Sequence, residues 1–207
     1  MTGLTVEIQG ARPEFHAAAP TIVLLARATV APAVTVHALV LRAQVMIEPQ
    51  RRRYGGEEEE RLRELFGETP RWGDTLRPFV WTHVATAAPG FTGSGELELP
   101  LGLTYDFEVA AAKYLHALED GEIPLRLLFS GTVFSRGLSV EPVAWDVEAA
   151  YRLPVALWRA VMDRYFPNSG WVRLRRDTLD RLQRYRVGQA LPTWDQALER
   201  LLEGAEP

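Results

Sequence analysis

The stretch from Val34 to Glu48 constrains the fold more than any other part of the chain. Thr35, His37, Leu39, Leu41, Ala43, Val45 and Ile47 fall on one side of it; Val34, Val36, Ala38, Val40, Arg42, Gln44, Met46 and Glu48 fall on the other. Successive side chains of a strand point to opposite faces, so this alternation predicts one long strand. Its second side turns polar along its length, as where a long strand leaves the core.

Further strands follow from the same reasoning. Leu4 to Ile8 alternates apolar and polar, and Thr21 to Val30 is an apolar, branched run that predicts a buried strand. Leu76 to Thr86, Gly95 to Leu101, Tyr105 to Val109, Ile123 to Ser135 and Leu138 to Ala149 complete the set. Glu57 to Phe66 predicts a short helix, with an acidic first turn and Glu57→Arg61 and Glu59→Arg63 pairs in the favourable orientation. Ala110 to Leu118 also reads as helical.

Turn signals at moderate spacing between so many strands point to a mainly β chain with added helix. The expected fold is an antiparallel β-sandwich of immunoglobulin-like architecture over residues 1–150, with the helical insertion near 57–66. Helices do not alternate regularly with strands, so a parallel α/β sheet ranks lower. After residue 150 the apolar spacing changes period. Residues 151–207 are expected to form a helical C-terminal extension packed on the sandwich, with Thr193 capping the last helix. Trp145, Trp158 and Trp194 hold periodic positions that predict core packing.

Composition removes several chemistries. The 207 residues contain no Cys, which excludes disulfides, thiolate metal ligation and thiol catalysis. Arg occurs 22 times and Lys once, at Lys113, a bias expected of a GC-rich, actinobacterial-type genome. A net charge of −4 argues against a dominant nucleic-acid-binding surface. The first residues lack a basic region followed by an apolar core, and no window reaches ~18 uninterrupted apolar residues. A cytoplasmic protein with no membrane partner is therefore expected; self-association is left open.

Catalytic templates find no match. There is no Gly-rich phosphate loop ending in Lys-Ser/Thr and no G-x-S-x-G elbow. His16, His37, His83 and His116 have no ligand-like spacing, so no metal site or other cofactor is expected. Asp106 and Glu108 would share a strand face, but alternation against Tyr105, Phe107 and Val109 already accounts for them. The stronger cluster lies in the tail, where Arg173, Arg175, Arg176, Arg181, Arg184 and Arg186 meet only Asp177 and Asp180 nearby. Such a face either pairs with acids elsewhere on the chain or docks an acidic partner. The turn from Tyr165 to Trp171 combines aromatics with turn residues, and such loops carry recognition. The candidate partner-binding residues are thus Arg173, Arg175, Arg176, Arg181, Arg184, Tyr165 and Trp171; no catalytic residue is nominated.

Three segments carry a resemblance: Tyr105 to His116 (YDFEVAAAKYLH), Phe129 to Phe134 (FSGTVF) and Asp163 to Trp171 (DRYFPNSGW). They resemble a family of uncharacterised, mainly actinobacterial proteins, and the likeness covers most of the chain. The family has no assigned activity, and its members are often encoded near uptake [NiFe]-hydrogenase structural and maturation genes. The resemblance implies a setting and no mechanism. The first-ranked reading is a non-catalytic accessory or interaction protein, assisting assembly or maturation of a hydrogenase, with a hydrogenase subunit or maturation factor as partner. A small-ligand binder or carrier ranks second, and an enzyme of unrecognised type third.

Overall fold

The computed structural model describes residues 3–104, 109–135, 139–167, 169 and 173–205. Among them, eight strands and six α-helices follow in order. These are β1 (Thr5–Pro13), β2 (Thr21–Thr29), β3 (Thr35–Ile47), α1 (Gly56–Phe66), α2 (Trp72–Thr75), β4 (Phe79–Thr92), β5 (Ser94–Gly102) and α3 (Ala110–Ala117), then β6 (Glu122–Ser135), β7 (Ser139–Pro142), β8 (Glu148–Pro154), α4 (Val155–Tyr165), α5 (Arg176–Gly188) and α6 (Trp194–Glu203). The chain is mainly β, with two packed antiparallel sheets and helices towards the C-terminal end, an arrangement compatible with an immunoglobulin-like sandwich.

One sheet has the order β1-β2-β5; the other runs β4-β3-β6, with β7 and β8 both pairing the far edge of β6. The chain crosses between sheets at Gly93, whose φ of 72° suits the tight link from β4 to β5. Leu41, Ala43, Val45 and Ile47 of β3 are fully buried and, with Leu127 beside them on β6, share one apolar core with Ile22, Leu24, Leu99 and Leu101 of the other sheet. Each large aliphatic side chain removed from water in this way stabilises the fold by roughly 1.5–3 kcal/mol.

The long strand differs from strict alternation at its start. Val36 is buried, and His37, on the same side as the buried Leu39 and Leu41, is exposed, because β3 bulges against β6 between Val36 and Ala38. The backbone is tight here. A Cβ on Gly90 of β4 would come within 2.9 Å of the carbonyl oxygens of both Val36 and His37.

The last predicted strand, Leu138 to Ala149, is instead two. β7 pairs Thr132 to Ser135 and β8 pairs Glu122 to Leu128 along the same edge, with residues 143–147 looping out between them. Backbone bonds from Val143 N to Gly131 O (3.0 Å) and from Phe129 N to Val147 O (3.0 Å) close the loop's base. Trp145, expected in the core, stands on this loop and is 94% exposed. Of the strand predicted over residues 105–109 only Val109 is described, as the residue preceding α3. Asp106 and Glu108 lie outside the described residues.

The helical insertion attaches to the sandwich through charge as well as apolar packing. α1 buries Leu62 and Phe66 against an aromatic group comprising Trp72, Phe79, Tyr54 and Tyr114. Tyr54 Oη donates to Pro49 O (2.7 Å), so Tyr114 Oη, 2.9 Å away, donates to Tyr54. Burial pushes the Tyr114 phenol up to about 12, so it stays a neutral donor. Beside this group Arg52 and Glu58 form a buried ion pair at 2.5 Å. Glu58 also accepts from Glu119 N (2.8 Å) and Gly55 N (3.2 Å), while Arg52 donates to Asp120 O (2.9 Å) and Glu122 O (3.1 Å). The pair thereby ties the start of α1 to the turn entering β6.

By internal contacts the chain divides into two compact units, 1–170 and 171–207; α4 belongs to the first, α5 and α6 to the second. No helix among the described residues is long and apolar enough to cross a membrane.

Removing one partner of a buried, hydrogen-bonded ion pair leaves an uncompensated charge. Glu58→Gln should therefore lower the urea unfolding free energy by about 3 kcal/mol, and the double change Arg52→Met with Glu58→Met should cost less than Glu58→Gln alone. Equal or greater loss in the double variant would show that the pair is not the source of the effect.

Candidate functional site

The arginine cluster nominated from sequence falls in the second compact unit. Arg173 and Arg175 occupy the extended segment before α5, Arg176 opens the helix, and Arg181 and Arg184 project from its exposed surface. Asp177 lies in the first turn of α5, where a carboxylate complements the helix dipole. Arg176 and Asp180 pair at 3.5 Å across one turn, Arg175 and Asp177 also approach to 3.5 Å, and Arg184 Nε donates to Asp180 O at 3.3 Å. All of these pairs are solvent-exposed, so each contributes little to stability. From 173 to 186 the chain holds six arginines against two aspartates, a local excess of positive charge in a net acidic protein.

The α5–α6 connection has a defined geometry. Ala190 N donates to Val187 O (3.0 Å) and Leu191 N to Arg186 O (3.0 Å), the paired bonds that close a helix through a left-handed residue. Ala190 is that residue, with φ 54°, a conformation that disfavours a Cβ. Thr193 then caps α6, as its sequence position predicts, accepting from Gln196 N at 3.2 Å. The Arg186 guanidinium sits over the Trp194 ring, 4.3 Å from its centroid. This contact ties the end of α5 to the start of α6.

α6 carries an apolar stripe at Trp194, Ala197, Leu198, Leu201 and Leu202, the i, i+3, i+4, i+7 spacing of one helix face. Sequence spacing alone places such residues in a core. Only Ala197 is fully buried; Leu198 is 45% exposed, Leu202 64% and Trp194, expected in the core, 37%. Leu174, Leu179 and Val187 are exposed in the same unit. The unit therefore presents large apolar side chains together with its arginines, and sequence reasoning missed the apolar part because amphipathic spacing does not say what covers the face.

The remaining nominated residues lie elsewhere. Tyr165 ends α4 in the first unit, where its hydroxyl donates to Ala17 O at 2.6 Å and lies 3.2 Å from Glu14 O. That bond ties α4 to the chain between β1 and β2. Trp171 lies outside the described residues. Trp158, expected in the core, is buried on α4 and meets the His116 ring edge-on at 4.8 Å. Burial and the neighbouring Arg159 hold the His116 imidazole below its ordinary value. His16, His37 and His83 are exposed. Among the described residues, no three His, Asp or Glu side chains come together as a metal-ligand group.

A family model described as "Family of unknown function (DUF6084)" matches residues 1–207. No curated protein matches the chain. Two solved structures of a β-glucosidase from Kluyveromyces marxianus, one selenomethionine-labelled and one in complex with glucose, each match at 10% identity and a TM-score of 0.25. Each match covers 73% of this chain, which spans only 15% of the length of that enzyme. A likeness this slight carries no inference about fold or activity.

Two substitutions test the geometry. Ala190→Gly relieves the left-handed strain and should raise the stability of the α5–α6 pair by about 0.5–1 kcal/mol, read as increased amide protection in hydrogen exchange. Tyr165→Phe removes the bond to Ala17 and should cost about 1 kcal/mol in urea unfolding.

Proposed function

We propose, for a chain that belongs to the DUF6084 family of unknown function, that α5 and α6 form a docking element through which the protein acts as a non-catalytic accessory to another protein. The carrying observation is the exposed apolar stripe of α6, Trp194, Leu198, Leu201 and Leu202, in the same compact unit as the basic α5. Trp and Arg are the side chains that most often dominate binding energy at protein interfaces. An arginine excess steers association with an acidic surface, and the apolar stripe supplies area to bury once contact is made.

In this reading the partner presents an acidic rim around an apolar groove. The setting implied by the three resembling segments makes it a subunit or maturation factor of an uptake [NiFe]-hydrogenase, in the cytoplasm of an actinobacterial host. The protein's contribution is then to hold or present that partner during assembly.

The test uses tagged full-length protein expressed in its native host under conditions that induce the hydrogenase. A hydrogenase subunit or maturation factor should co-purify with the wild type and be lost from the Leu198→Glu/Leu202→Glu variant. These positions are exposed, so the variant's own stability should change by no more than about 0.5 kcal/mol. Arg181→Glu with Arg184→Glu should slow association about tenfold and reduce its salt dependence. Recovery of no such protein with the wild type, or equal recovery with the apolar variant, would overturn the reading.

A further inference from the structure

A second site lies on the first compact unit, at the end of β3. Glu48 follows the strand and is 2% exposed, its backbone N donating to Pro124 O at 2.9 Å. Its carboxylate is bracketed by two guanidinium groups, with Arg51 Nε 3.0 Å from one oxygen and Arg126 Nε 3.3 Å from the other. The Arg126 ε nitrogen is buried and has no aligned hydrogen bond among the described residues. Arg152 stands on β8 opposite Pro124 in the β6–β8 register, so it follows Ala150, the partner of Arg126, along the same strand face. Its nearest carboxylate, Glu122, is 3.7 Å away, beyond hydrogen-bonding distance.

An open groove of about 340 Å³ joins Glu48, Arg51 and Arg152. Glu48, Arg51 and Arg152 supply its charged lining, and Pro124, Leu125 and Tyr151 its apolar and aromatic wall. Two arginines and one buried carboxylate thus line one groove, and Arg126 backs that carboxylate from β6. The contacts also leave specific donors available. Arg51 reaches Glu48 through its ε nitrogen, and among the described residues neither of its terminal amino groups, nor those of Arg152, has a hydrogen-bonding partner. Both side chains are more than half exposed, so they can turn towards a ligand. The ion pair with Glu48 uses the ε nitrogen of Arg51, so the edge formed by its two terminal amino groups stays available to a ligand. Such a fork matches two oxygens of a carboxylate or a phosphate.

We infer that this groove binds a small organic anion, holding a carboxylate or phosphate group between Arg51 and Arg152 and an apolar or aromatic body against Tyr151. The volume suits a metabolite-sized ligand. Glu48 is a positioning residue here: as an anion it repels the ligand's charge, and its contribution is to orient Arg51.

Calorimetric titration of the full chain with phenyl phosphate, benzoate, inorganic phosphate and, as a neutral control, phenol tests the assignment. Phenyl phosphate or benzoate should bind, and which of the two binds tighter identifies the head group. Inorganic phosphate should bind more weakly than phenyl phosphate, and phenol should not bind. Arg51→Ala and Arg152→Ala should each weaken binding about tenfold, with unfolding midpoints unchanged because both side chains are exposed. Arg12→Ala, a remote change on β1, should leave the affinity as it is. No heat with either aromatic anion at about 10 mM, or affinity unchanged in the double variant Arg51→Ala/Arg152→Ala, would overturn the inference.

Discussion

Burial of the inward face of β3 is the constraint on which the rest of the structure depends. Leu39, Leu41, Ala43, Val45 and Ile47 leave almost no surface to water, and they can do so only if a second sheet covers them. β2 and β5 supply that cover with Ile22, Leu24, Leu99 and Leu101. β4 and β6 satisfy the backbone groups on either edge of β3 through almost its whole length. The helical insertion then attaches where β3 ends, through the turn at Pro49–Arg51 and the clamp formed by Arg52. A register slip of one residue in β3 would turn this entire face outward, so the strand determines the placement of both the core and the charged groups past its end.

Two kinds of polar contact are built on that frame. Arg52 and Glu58 are withdrawn from water and hold backbone groups at 55, 119, 120 and 122, so their contribution is to fix where the insertion sits. Glu48 is equally buried, but Arg51, one of the two arginines that meet it, is more than half exposed. The first arrangement closes on itself and the second leaves donors facing outward. That difference separates a structural ion pair from a candidate binding site.

The strand pattern was legible because alternation is a local property: β2, β3, β5 and β6 all occupy the predicted stretches. The departures arise from contacts the local pattern does not contain. The bulge at His37 depends on the register with β6 and on the close approach of Gly90. The break between β7 and β8 depends on β6, whose two halves take separate partners, and it places Trp145 in solvent despite its periodic position. Of the candidate site, the arginines of α5 were legible as a charge run. The stripe on α6 was legible as amphipathic, but its exposure was not. The Glu48 group was invisible because Arg126 reaches Glu48 only through the pairing of β6 with β3, and Arg152 joins the groove only through the pairing of β8 with β6.

In the proposed function the partner docks on the second compact unit, through α5 and α6. An exposed apolar helix face beside a cationic helix costs solubility, and a bound partner would offset that cost by burying it. The most direct measurement is hydrogen–deuterium exchange of the full chain, alone and in its purified native complex. The account predicts new amide protection across 176–203 on complex formation, with β3 and β6 unchanged. Protection confined to the strands, with α5 and α6 exchanging as in the free chain, would contradict it.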